Sequence, residues 1–461
     1  MNGKNNSTKL SWKTDFPTKK LSAILKKAWT KYFTLVTVSE INMSLLLSVR
    51  ERLLLPVMFM AFPLFVSGQN ALAPQGGEYA IAGPLVGDQV NSSIALSQSG
   101  GFLVWEDNAS DKSGSGISGV RLNSAFTKIS SFPINKVAKG DQRNPQVKLL
   151  KGGGAIVVWQ GNGLGTHDIY ARFLKDDGSF ATVDIRVNSI IKDQQSEPAV
   201  TPLNDGGAIV AWQSFGQDGS LFGIYARKLS ATDLVGTSEF QVNQETRFNQ
   251  RSPAIATLAN GNVVVAWISE QERFLSTASS VGSVDVYARL FDASGNSLSG
   301  EILLNSANNL CGNPSIAALA SGGFTVVWSE KDSQSRPNGW EIMGRAFSAE
   351  GVASGADFKI NTNTYGDQYR PKIAAIGNDC VVVWTSLGQD GSWEGVFGRL
   401  LRGGTTPSGD EFRANNTTAS KQIYPAIASD GANQFLVSWS SFVGVTGFDL
   451  FSRKYTLNQQ P

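Results

Sequence analysis

The side chains able to do acid–base or metal chemistry are few in this chain. It has one histidine, His167, in 461 residues. One histidine builds neither a two-His metal site nor a repeated His/Asp relay. No Gly-x-Ser-x-Gly elbow, phosphate loop or Cys-x-x-Cys pair occurs. Carboxylates are better represented: Glu106, Asp107, Asp218, Glu270, Glu272, Glu330, Asp332 and Asp390 all fall in segments of variable length. Hydrolysis of a glycosidic bond needs two carboxylates roughly 5–10 Å apart, a distance that a sequence does not give. A sialidase would need an arginine cluster, and no Ser-x-Asp-x-Gly-x-Thr-Trp box is present. Gly-Gln-Asp-Gly-Ser occurs twice, at 216–220 and 388–392. Asp218 and Asp390 are therefore weak calcium candidates, with one carboxylate per loop where an oxygen cage needs several. No other cofactor is expected.

Binding is the other use for such residues. Large side chains stand five positions before a recurring arginine at His167, Phe222, Trp340 and Phe448, with Trp393 one place earlier in its own copy. Aromatic rings beside polar loops stack on sugars or anchor a protein partner; the plainer alternative is that they pack beneath the loop. The candidate ligand-binding set is His167, Gln217, Asp218, Phe222, Glu270, Phe274, Trp340, Gln389, Asp390 and Trp393.

These residues recur because the chain recurs. A tryptophan ends an apolar run at Trp105, Trp159, Trp212, Trp267, Trp328, Trp384 and Trp439, at steps of 53 to 61 residues. An arginine follows each, at Arg121, Arg172, Arg227, Arg289, Arg345, Arg399 and Arg453. An asparagine closes a later run at Asn135, Asn188, Asn243, Asn305, Asn361 and Asn415. A proline opens six copies, and Ser92 takes its place in the first. Three residues before it stands a glutamine, replaced by Cys311 in the fifth copy. Such glutamines either ring a channel mouth or satisfy backbone groups in the turns between units.

Each copy reads as four short strands with turn signals between them and no helical period. In one copy they are PAIATLA (253–259), NVVVAW (262–267), VDVYARLF (284–291) and EILLN (301–305). The predicted fold is all-β: a seven-bladed β-propeller of four-stranded blades over 78–461. The last copy has three strands, and EYAIAGPL (78–85) precedes the first copy unpaired. The N-terminal strand is therefore expected to close the last blade, which leaves no bare sheet edge. An open solenoid is the alternative. The spacing between each Trp and its Arg varies most, so the loop between second and third strands is the expected binding face. ISEQERFLSTASSVGS (268–283) is the longest such loop.

Residues 1–68 read as a basic leader with a secretory signal, and 69–77 as a linker. Positive residues flank the uncharged run LLLPVMFMAFPLFV (53–66), and small residues follow it. Met43 is a possible true start; cleavage after Gly68 or Ala73 is expected, with an uncleaved anchor as the alternative. The leader takes 10 of 40 basic and 3 of 38 acidic residues, leaving 30 and 35. A net negative remainder gives no case for nucleic-acid binding. Cys311 and Cys380 fall at opposite ends of their strands, so no disulfide is expected.

Gly-Gln-Asp-Gly-Ser, Gly-Ile-Tyr-Ala-Arg, Gln-Val-Asn and Gly-Gly-Ala-Ile-Val-Ala-Trp resemble the tandem repeats of large secreted bacterial surface proteins. There the unit reads close to GGFVVxWxSxGQDGSGxGIYAxRF. The likeness covers 78–457 and is strongest at 196–229 and 366–399. It implies a secreted, non-catalytic module and supplies no catalytic residue. The expectation is a monomeric, secreted or periplasmic and envelope-associated scaffold, without a stable membrane span after signal cleavage, that binds a glycan or protein at the cell surface. The alternative is a carbohydrate-active enzyme, glycoside hydrolase or sialidase-like, using loop carboxylates.

Overall fold

The computed structural model describes residues 71–458 except 111–112, 162–165, 231, 233–236, 275–279 and 333–338. The account concerns the unit Val66–Pro461. The expected leader, 1–68, lies outside the described residues.

This unit is all-β, built from many four-stranded antiparallel sheets. Two short N-terminal strands come first, β1 (Leu72–Pro74) and β2 (Tyr79–Ala80). A first sheet follows: β3 (Gln89–Ser97), β4 (Gly100–Asp107), β5 (Gly116–Leu122) and β6 (Lys128–Pro133). The next is β7 (Arg143–Leu149), β8 (Ala155–Gly161), β9 (Asp168–Leu174) and β10 (Ile185–Arg186). Then come β11 (Gln195–Pro202), β12 (Ala208–Phe215), β13 (Phe222–Leu229) and β14 (Phe240–Gln241). Strands β15 (Gln250–Thr257), β16 (Val263–Phe274), β17 (Ser280–Phe291) and β18 (Ile302–Leu303) follow. They join β19 (Leu310–Ala318), β20 (Phe324–Lys331), β21 (Glu341–Phe347) and β22 (Phe358–Lys359) through one parallel pair, Val284 with Leu310. The last strands are β23 (Gln368–Ile376), β24 (Asp379–Leu387), β25 (Glu394–Arg402) and β26 (Thr406–Arg413), then β27 (Gln422–Ser429), β28 (Gln434–Phe442) and β29 (Phe448–Leu457).

The first strands of these sheets pack in sequence. Strand β3 lies on β7, β7 on β11, β11 on β15, β15 on β19, β19 on β23, β23 on β27, and β27 on β3. Apolar cores fill the space between successive sheets. Trp212 packs with Ile156, Val158 and Phe173 of the sheet before it, and Trp105 packs with Leu436 and Leu450 of the last sheet. All seven repeat tryptophans are at most 2% exposed. The second strands are apolar without alternation because both of their faces are covered in this way.

The other repeat residues stitch the sheets together. Asn243 Oδ1 accepts from the Ile224 amide at 2.7 Å, and Asn188, Asn305, Asn361 and Asn415 repeat this bond at their own sites. Arg227 donates to Val187 O of the preceding sheet and to Thr237 O of its own. The buried glutamines satisfy turn carbonyls, as when Gln89 Nε2 donates to Gly87 O at 2.7 Å. Where Cys311 replaces the glutamine, Glu330 takes over its acceptor role and receives Trp328 Nε1 at 2.9 Å. Cys311 and Cys380 are free and buried.

Three local readings differ from expectation. The N-terminal pairing involves β2, within the expected 78–85, and also β1, inside the expected linker 69–77; both pair with β29. The segment 268–283 is not an open loop throughout: β16 and β17 stay paired from Ile268–Val286 out to Phe274–Ser280. A two-stranded ribbon beyond the sheet has no core face, so its polar composition reads as loop. The fourth strands are mostly two residues long and pair with the middle of the third strands.

Candidate active site in the central cavity

Each first strand carries a β-bulge two to three residues from its start, for example between Val90 and Ser93 and between Arg143 and Gln146. At each bulge stands a non-glycine residue with positive φ: Asn91, Asn144, Glu197, Ser252, Asn313, Arg370 and Tyr424, with φ between 52 and 56. An L-residue held there costs on the order of 1–2 kcal/mol. Six of them precede proline, which itself disfavours helical conformations at that place. The seven converge on one cavity of about 340 Å³, lined by the first strands β3, β7, β11, β15, β19, β23 and β27. Backbone strain of this kind persists where surrounding structure enforces it, often at functional sites.

Two carboxylates share an asparagine of the cavity lining, Asn144; Glu197 is in that lining too, and Glu106 stands outside it. The Asn144 amide N–H donates to Glu106 Oε1 at 2.7 Å. Its side-chain Nδ2 donates to Glu197 Oε1 at 3.1 Å and to Gln160 Oε1 at 3.0 Å. Gln160 Oε1 also accepts the Glu197 amide at 2.9 Å, and Asn91 Nδ2 donates to Glu106 Oε1 at 2.8 Å. Glu106 follows Trp105 at the end of β4 and is 7% exposed. Burial pushes its carboxyl above the usual range, against the pull of Asn144, Asn91 and Arg143, and the nearby Glu197 pushes the same way. Glu197 lines the cavity and is exposed to solvent. One carboxyl is thus biased towards its protonated form beside another that faces water. That is the division of labour that acid–base cleavage uses.

Cations line the same cavity: Lys148 on β7, and Arg370 and Lys372 on β23. The Arg370 guanidinium lies 4.5 Å from the centre of the Tyr424 ring. Both lysine side chains reach solvent, but only within the cavity, and protein surrounds them closely enough to lower both pKa values through desolvation. Arg370 and Lys148 lower Lys372 further, while Glu197 raises it.

The residues expected to bind ligand lie elsewhere, and most of their polar groups are occupied. Gln217 accepts from Ser214 Oγ at 2.7 Å and donates to Glu239 at 2.9 Å. Asp218 caps the Ser220 amide and receives Asn243 Nδ2. Gln389 and Asp390 repeat this, with Glu411 and with Ser392 and Asn415 as partners. The Gly-Gln-Asp-Gly-Ser turn needs its glycines, since Gly219 and Gly391 have φ of 89 and 90. Both calcium candidates thus serve their own turns. Among the described residues no group of three or more His, Cys, Asp or Glu side chains is placed to hold a metal. Glu270 accepts from Asn249 and Arg251, and Phe222 packs on Phe215. His167 is half-buried; burial, then Arg143, lowers its pKa. Trp340 is half-buried beside Gly312. Trp393 is 61% exposed, with Lys421 over its ring. Phe274 ends β16, and its side chain lies outside the described residues. These residues are not brought together. Asn91, Asn144, Lys148, Glu197, Arg370, Lys372 and Tyr424 were missed by the sequence reading. The column before the proline did carry a signal, being polar and varied where its neighbours repeat.

No family model matches the sequence, and no curated protein matches it. Solved structures do share the fold. A polysaccharide lyase, Uly1, is 11% identical with a TM-score of 0.51, over 86% of this chain and 94% of that one. A protein of unknown function from Dyadobacter fermentans is 11% identical with a TM-score of 0.49, over 68% and 94%. An α-L-arabinanase from Penicillium chrysogenum, solved with arabinobiose, is 13% identical with a TM-score of 0.44, over 83% and 96%. The polysaccharide lyase corrects the expectation of a non-catalytic binding scaffold. The fold shared with the lyase is one that carries catalysis on polysaccharides, so it does not mark a module as inert.

Proposed function

We propose that this chain is a carbohydrate-active enzyme that cleaves glycosidic bonds at the mouth of the central cavity. The observation that carries this reading is the carboxylate pair held by Asn144. Glu106, whose carboxyl burial biases towards the acid form, gives its proton to the leaving glycosidic oxygen as the C–O bond breaks. Glu197 takes a proton from a water whose oxygen bonds to the anomeric carbon. Fold likeness to a polysaccharide lyase supports the class.

The same reading takes the sheets as seven blades around the cavity, supported by first strands that pack from β3 through β27 and back to β3. Strands β1 and β2 on β29 stand in for the missing outer strand of the last blade. Residues 1–68 would export the protein to the periplasm or outside, and the repeat would be of the bacterial surface type, in a monomer.

The test is to incubate the full chain with a panel of neutral and acidic polysaccharides and measure new reducing ends. Release by the wild type, abolished in Glu197→Gln, is the expected result. Ultraviolet absorbance of an unsaturated product would replace hydrolysis by elimination. A folded protein that releases nothing from the panel would overturn the proposal.

A further inference from the structure

We propose that the central cavity binds an acidic sugar, with Lys148, Arg370 and Lys372 holding an anionic substituent while Glu106 and Glu197 act on the adjoining linkage. This rests on the cleavage reading and names its substrate class. Four charged residues line the cavity, and three are positive: Lys148, Arg370 and Lys372 against Glu197. The rest of the chain after residue 68 leans the other way, with 30 basic and 35 acidic residues once the leader's 10 and 3 are taken from 40 and 38. The positive set is therefore local to the cavity.

Neither lysine ammonium has a hydrogen bond or ion pair among the described residues. Lys148 sits near enough to Lys372 to disfavour its charge. Like charges kept together without a protein partner disfavour one another. The missing partner is an anion of the size a cavity of about 340 Å³ admits, at the small end of ligand pockets. A carboxylate or a sulfate on a sugar ring supplies the charge. The hydroxyl-binding groups are present as well: Asn91, Asn313 and Ser252 line the same cavity. A cavity whose charges are mostly positive also raises the local concentration of an anionic ligand.

The experiment is calorimetric binding to the full chain carrying Glu106→Gln, which slows turnover and leaves the cavity charges in place. Three tetrasaccharides are used: tetragalacturonate, a sulfated carrageenan fragment and neutral arabinotetraose. An acidic ligand should bind at least tenfold more tightly than the neutral one. Lys148→Met and Lys372→Met should each remove about tenfold of that affinity, and added salt should weaken it. Which acidic ligand wins separates carboxylate from sulfate, and either outcome supports the inference. Equal binding of arabinotetraose, or acidic binding untouched by both lysine variants in protein of normal melting temperature, overturns it. If the lysine variants do not fold, salt-independent binding of the acidic ligands does so instead. Cleavage of a neutral polysaccharide without preference for acidic ones would sink this inference and leave the cleavage reading intact; cleavage of none would sink the latter.

Discussion

Asn144 holds the site at the scale of single side chains. Its backbone N–H fixes Glu106, and its amide group fixes Glu197 and Gln160. The positive φ of 53 turns both groups in these directions. Asn144→Ala should cut turnover at least tenfold while costing about 1–2 kcal/mol in urea unfolding, since Glu197 and Gln160 lose the side-chain donor they share while Glu106 keeps its bonds from Asn91 and the backbone amide. Glu106 also sets the pH dependence. Its carboxyl titrates above the usual range, so the acid form persists to higher pH than in a free glutamate. The rate should fall as pH rises through that raised value. Stability has the same sign: a raised carboxyl pKa stabilises the fold at low pH, and the gain is lost as pH rises. The melting temperature of wild type relative to Glu106→Gln should therefore decline between acid and neutral pH. Lysine runs the other way. The pKa of Lys148 is depressed, so its charged form costs stability at neutral pH and the cost vanishes above the ordinary lysine range. Lys148→Met should raise the melting temperature at pH 7, and the gain should shrink near pH 11.

The elements place these side chains by repetition. A tryptophan locks each second strand, an asparagine caps the third strand of six sheets, and Arg172, Arg227, Arg289, Arg345 and Arg399 tie their sheets to the one before. Asn243→Ala leaves the buried Ile224 amide without its acceptor. It should cost about 1–3 kcal/mol, measurable as a lower denaturant midpoint. The repeat was legible because those residues are large, apolar or fixed in type. The strand core of each sheet was legible for the same reason. The β16–β17 ribbon was not, because a ribbon outside the core has no apolar alternation to reveal it. The bulged first strands were also hidden. A bulge is a backbone event, and only the proline after it leaves a mark in the sequence.

At the scale of the whole described unit, the site exists because successive units bring equivalent positions to one place. Glu106, Asn144 and Glu197 come from three consecutive sheets, the first after its tryptophan and the others before their prolines. Residue types and spacing show each position but not that they meet. Loop-length variation pointed towards the end of the sheets where the first strands begin, since Gln89 pairs with Asp107 at the β4 exit. The loop carboxylates Glu330 and Asp218 bond within their own sheets and turns. The N-terminal segment carries its own signature. Glu78 accepts the Asn416 and Thr417 amides, as Glu301 does those of Gln244 and Glu245. Arg453 reaches Gly76 O as Arg227 reaches Thr237 O. Glu78→Ala should therefore lower the melting temperature of the full chain by a few degrees, and an unchanged value would argue against closure by this segment.

The most direct measurement of the central claim is the turnover of Glu106→Gln and Glu197→Gln on whichever polysaccharide the wild type cleaves. Both should lose about a hundredfold or more in kcat while still unfolding cooperatively as folded proteins. Wild-type turnover in either folded variant would contradict it.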